Sequence, residues 1–130
     1  MARFQGDLPN RTYRFSLVVM SLVDQLPRGT TGWELGKQPL RSGIGVGANV
    51  READVAFTDR EFAHLCNIAR REAHETHYWL SLCRDHDLLR GDALADAIRE
   101  ADELHRILST IVQKTQHYLE EPVEQVSLVP

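Results

Sequence analysis

Apolar positions along this chain fall into four blocks at helical spacing, divided by turn or breaker residues. The first block runs from about Arg11 to Leu26 and stops before Pro27-Arg28-Gly29. Tyr13, Phe15, Leu17, Val18, Val19, Met20, Leu22, Val23 and Leu26 cover most of its circumference, while Arg14, Ser21 and Gln25 share one narrow polar face. A helix this apolar all round is buried on more than one side. In a small bundle the second side needs a partner, so the pattern predicts self-association. Phe15, Val19 and Leu22 are the expected interface positions on this helix. The residues before it, closed by Pro9-Asn10, read as a lead-in with a turn.

The second block, Trp33 to Asp54, carries Gly36, Pro39, Gly43, Gly45 and Gly47. Each interior glycine costs roughly 1 kcal/mol against alanine. Leu40, Ile44, Ala48 and Val50 nevertheless keep a helical period, and the small residues would let another helix approach closely. Gly43-Ile44-Gly45-Val46-Gly47 has neither the dinucleotide spacing nor that of a phosphate-binding loop, and no strand pattern precedes it.

The third block opens with a capping box, Thr58-Asp59-Arg60-Glu61. Phe62, Leu65, Ala69, Ala73, Thr76, Leu80 and Cys83 then follow in steps of three and four. After the turn at Arg90-Gly91-Asp92 comes the fourth block. Its seam is Leu94, Ala97, Ala101, Leu104, Leu108, Ile111, Thr115 and Tyr118. Ile98, Val112 and Leu119 add a second row; Ile98 and Val112 of that row complete the expected subunit interface. Four helical segments with short connections predict an all-α, antiparallel up-down-up-down four-helix bundle. One domain, 1–130, is expected, with a helical core at about 11–119 and tails at 1–10 and 120–130.

Composition adds limits. The net charge is −4, with twelve Lys/Arg against eleven Asp/Glu in residues 1–90 and three against eight in residues 91–130. That split excludes a basic grip over the whole surface and leaves room for a local basic face. No apolar run approaches the length needed to span a bilayer. The opening MARFQGDLPN has no apolar core, so no signal peptide is expected and the chain reads as cytoplasmic. Cys66 and Cys83, on one helix, would stand ~25 Å apart along its axis and could not bridge. They read as small buried apolar residues.

The stretch Leu40-Arg41 … Val46-Gly47-Ala48-Asn49-Val50-Arg51-Glu52, followed by Glu61-Phe62, Ile68-Ala69, Glu75 and Leu80, resembles a bacterial four-helix-bundle protein family. That family is encoded by reading frames inside intervening sequences of 23S ribosomal RNA genes. Its typical run ends S-I-P-x-N-I-A-E-G. Here the proline position is Gly47, and Ala-Glu-Gly reads Arg51-Glu52-Ala53. The resemblance covers roughly Phe4 to Leu119. It implies a bundle assembling into a ring, typically a homopentamer, with no settled activity.

Candidate chemistry is sparse. Arg41, Asn49 and Glu52 on the second helix and Glu75 on the third form a candidate polar network or pocket, with Glu72 closer to the apolar stripe. Arg70 and Arg71 give the third helix a basic tint suited to phosphate contact. Glu61-Phe62-Ala63-His64 and Asp102-Glu103-Leu104-His105 have the spacing of carboxylate-bridged metal sites. Glu61 is committed to the cap, however, and His64 points well away from the apolar stripe. His74-Glu75-Thr76-His77 is one residue short of zincin spacing. No metal, no cofactor and no catalytic residue is therefore expected. The leading expectation is a non-enzymatic oligomeric scaffold or adaptor whose partner is itself plus an RNA, DNA or protein. A nucleic-acid-binding accessory factor is the alternative, and a metal enzyme the more remote one.

Overall fold

The protein's structure, a computed structural model, describes residues 2–120. Four helices make up the bundle: α1 (Leu8–Asp24), α2 (Thr30–Asp54), α3 (Asp59–Asp85) and α4 (Asp92–Glu120). Among the described residues there is no strand. Glu120 closes α4, so the expected C-terminal tail lies otherwise outside the described residues.

The N-terminal boundary differs from the sequence expectation. α1 starts at Leu8 rather than Arg11, because Pro9 sits in its first turn instead of making a turn of its own. A missing N–H costs nothing there, since that donor would have no partner in the helix. The lead-in is also tied down. Asp54 Oδ1 accepts from the backbone N–H groups of Arg3 and Phe4 at 3.0 and 2.9 Å. Phe4 packs its ring on Phe62 at 5.2 Å.

α2 forms despite its glycines because Gly36, Gly43 and Gly47 are where α1 touches it. A Cβ on Gly43 would lie 2.8 Å from Val19 Cγ1, and one on Gly47 would lie 3.0 Å from Ser16 Oγ. Ser16 Oγ in turn donates to the Gly43 carbonyl at 2.9 Å. The propensity lost to glycine is offset by the close packing it allows. The helix starts at Thr30, three residues before the expected Trp33, and keeps Pro39 buried in its interior.

α3 begins with the expected box. Thr58 Oγ1 accepts from the Glu61 N–H at 3.0 Å, and Glu61 Oε2 accepts from the Phe57 N–H at 3.0 Å. Its buried face is Ala63, Cys66, Ala69, Ala73, Thr76, Leu80 and Cys83. The turn to α4 needs Gly91, whose φ of +103 is a left-handed conformation that a side chain disfavours. α4 buries Leu94, Ala97, Ile98, Ala101, Leu104, Leu108 and Val112. The predicted seam fails at its end, where Tyr118 is exposed and Val112 takes the inward place. A straight helix drifts ~20° per heptad, so a strict 3-4 pattern turns outward over three heptads.

An ion pair closes α1 onto α4: Arg11 donates through Nε and Nη2 to both Glu100 oxygens at 2.7 Å, with Glu103 at 3.1 Å. No helix among the described residues is long and apolar enough to cross a membrane.

Candidate interaction surfaces

Both thiols belong to the core. Cys66 and Cys83 are free and buried on α3. Burial pushes the Cys66 thiol up to about 12 and raises that of Cys83. A thiol held protonated is a poor nucleophile, so neither supports covalent chemistry. Among the described residues no group of three or more His, Cys, Asp or Glu could hold a metal ion.

The predicted polar network exists in part, with different members. Arg41 reaches from α2 to α3, where Nη2 donates to Glu75 Oε1 at 2.9 Å and Nη1 lies 3.4 Å from Glu72 Oε1. Glu72 lies flat against α2, because only the absent side chain of Gly45 leaves room; a Cβ there would stand 3.1 Å from the carboxyl carbon. Loss of solvation raises the Glu72 pKa, Arg41 opposes that rise and Glu75 adds to it. Beneath the carboxylates, the Ser42 and Thr76 hydroxyls share a buried hydrogen bond of 2.7 Å, and Thr76 Oγ1 also donates to the Glu72 carbonyl at 2.8 Å. Asn49 does not join. Its Nδ2 donates back to the Gly45 carbonyl at 2.8 Å. Glu52 is exposed and has no partner among the described residues. Of the expected group, Arg41 and Glu75 are brought together and Glu72 joins them, while Asn49 and Glu52 stand apart.

The expected subunit interface requires correction. Phe15, Val19 and Leu22 are 2%, 0% and 3% exposed, and Ile98 and Val112 are 7% and 5%. All five point into the protomer's own core, which leaves them no surface to offer another copy. The exposed apolar side chains of α1 are instead Tyr13, Leu17, Val18 and Met20. Tyr13, Leu17 and Met20 follow at i, i+4, i+7 and line one side of a groove of ≈ 380 Å³. Ile44, Gly47, Ala48 and Arg51 of α2 line the other. The Arg51 guanidinium sits over the Tyr13 ring, 5.9 Å from its centre.

Arg70 and Arg71 lie on α3, outside this groove. Arg70 Nε donates to Asn67 Oδ1 at 2.8 Å, and its carbonyl accepts from His105 Nδ1 of α4 at 3.3 Å. The His105 and His74 rings pack together with centres 4.8 Å apart. Arg71 is exposed.

A family model described as 23S rRNA-intervening sequence protein matches residues 7–110. The fold is similar to the crystal structure of a protein with unknown function from the S23 ribosomal protein family of Bacteroides thetaiotaomicron VPI-5482. The two are 28% identical with a TM-score of 0.72, over 82% of this chain and 98% of that one. No curated protein matches.

Proposed function

The chain belongs to the 23S rRNA-intervening sequence protein family, and from that premise we propose that it is a non-enzymatic, cytoplasmic scaffold that acts as a homo-oligomer. The observation that carries this reading is the exposed stripe of Tyr13, Leu17 and Met20 beside Ile44. Large apolar side chains in a continuous row are costly to leave in water and mark a contact surface. Gly47 and Ala48 on the facing side have almost no side chain, so another helix can come close. Asp24 and Arg51 lie toward opposite ends of this α1–α2 face, and neither has an ion-pair partner within the protomer among the described residues. Complementary charges flanking an apolar strip suit docking between copies.

The up-down-up-down order belongs to the same reading. Val23 of α1 meets Gly36 of α2, Val19 meets Gly43, and Thr12 meets Gly47, so numbers fall along one helix as they rise along the other. The ring of five that the family resemblance implies would weigh about 74 kDa, from five chains of 14.8 kDa. Light scattering on the size-exclusion peak tests the proposal. A mass of several protomers supports it, and a monomer at micromolar concentration refutes it.

A further inference from the structure

We propose that the outer face of α3, with its flank toward α4, binds the phosphate backbone of a single nucleic acid strand. The starting observation is how the protein disposes of its cations. Arg3, Arg11, Arg14, Lys37, Arg41, Arg84, Arg90, Arg99 and Arg106 each have a carboxylate partner. Arg28, Arg51, Arg60, Arg70, Arg71 and Lys114 form no ion pair among the described residues, and three of these six, Arg60, Arg70 and Arg71, are on α3, with Arg71 close enough to Glu72 to oppose the rise of its pKa. In a chain of net charge −4, acidic groups are not scarce, yet half of the unpaired cations fall on this one helix.

Their neighbours sharpen the pattern. Arg60, His64, Asn67, Arg71, His74 and Tyr78 descend α3 in steps of 4, 3, 4, 3 and 4, which places them in one line down the side away from the core. That line covers about 27 Å of helix axis. It holds no carboxylate: Glu72 and Glu75 turn toward α2 and are occupied by Arg41. Toward α4 a groove of ≈ 420 Å³ is lined by Arg60, His64, Asn67 and Gln116, with Glu120 as its acidic member. Farther along, the His105 N–H is taken by the Arg70 carbonyl, which leaves its Nε2 free beside the His74 ring. Asp102, the nearby acid of α4, is engaged by Arg106 at 3.1 Å.

Arg60 and Arg71 stand ~16 Å apart along this row, so an extended polyanion reaches both. The chemistry of the row chooses between an acidic protein and a nucleic acid. Protein interfaces centre on buried apolar anchors, and only Tyr78 here is of that kind. A nucleic acid strand supplies phosphates for the arginines, base edges for the amides, and flat faces for the imidazoles and Tyr78.

The test is fluorescence anisotropy with the full chain and a labelled mixed-sequence 20-nucleotide single-stranded RNA. Measurements at about 50 and about 200 mM salt report the ionic contribution. The native protein is expected to bind and to weaken as salt rises. Arg60→Glu/Arg71→Glu should weaken binding at least about tenfold at the lower salt. Arg14→Glu/Arg99→Glu changes the net charge equally but lies elsewhere, and should stay within about twofold of native. No binding at the lower salt overturns the proposal, as does an equal loss in both variants. Displacement by poly-glutamate as effective as by unlabelled RNA reassigns the face to an acidic protein and also overturns it. Circular dichroism and native mass of each variant separate this result from any failure to fold or to self-associate.

Discussion

Two sides of this bundle face solvent with opposite chemistry. The α1–α2 side exposes Tyr13, Leu17, Met20 and Ile44, while the outer line of α3 exposes Arg60, His64, Arg71 and His74 beside a half-buried Asn67. The supporting helices are correspondingly different. α1 is apolar nearly all round and is held by glycines that bring α2 against it. α3 has a narrow core face built of alanine, cysteine and threonine, so the rest of its circumference is free to carry charge. Binding energy on the first side would come from removing apolar surface from water and would change little with salt. On the second it would come from counterion release and would fall steeply with salt.

The largest effect should come from Val19→Glu. Val19 is fully buried with its methyls against Gly43, so the carboxylate would have neither water nor a cation. Its cost should exceed roughly 4 kcal/mol, enough to unfold a marginally stable domain. Loss of helical circular dichroism checks this. A folded protein of lower native mass would show instead that Val19 is a subunit contact. Next is Leu17→Glu/Met20→Glu, which puts two charges in the exposed groove. Native mass should fall to that of one chain while the helical signal stays, and an unchanged mass would move the self-contact away from this side.

Gly43→Ala should have a smaller effect. The added methyl would meet Cβ and both methyls of Val19 at 2.8 to 3.1 Å, and Val19 is itself fully buried. Overpacking of this kind costs about 1–3 kcal/mol. Thermal unfolding should show the loss with the assembly retained, which separates the packing of α1 on α2 from the use of their outer groove.

How much of this was legible in the sequence follows from whether the signal is local. The Thr58/Glu61 box and the α3 stripe are local patterns, and both the start of that helix and its buried face follow from them. α1 has no polar face broad enough to set its phase. Tyr13 to Val23 therefore shows that the helix is doubly covered without showing which arc lies inside. What fixes the phase is the fit of Val19 to Gly43 and of Ser16 to Gly47, a pairing between helices that no single segment contains. The polar network was legible in part: Arg41 and Glu75 were grouped and do pair, whereas Asn49 bonds back to its own helix and Glu52 stays in solvent. The cationic line on α3 was within reach, since its 4-3-4-3-4 spacing is purely local. Reading Arg70 and Arg71 as neighbours in sequence obscured the line through Arg60, His64 and His74.

The smallest expected effect concerns the boundary between the two sides, where Glu72 separates Arg41 from the arginines of α3. Burial raises the Glu72 pKa in the folded state, so that state holds its proton more tightly than the unfolded chain does. Linkage then gives the sign: the contribution of this group to stability is fully present below the unfolded carboxyl pKa and is lost as pH rises through the folded one. Ionised Glu72 at neutral pH thus costs stability that Arg41 only partly returns. Glu72→Gln keeps the shape in the space above Gly45 and removes the charge. Melting temperatures of the variant and the native protein should converge in acid, and the variant should gain on the native protein as pH rises to neutral. If the variant instead loses ground toward neutral pH, the Arg41–Glu72 attraction outweighs the desolvation, and Glu72 works with Glu75 as a clamp between α2 and α3.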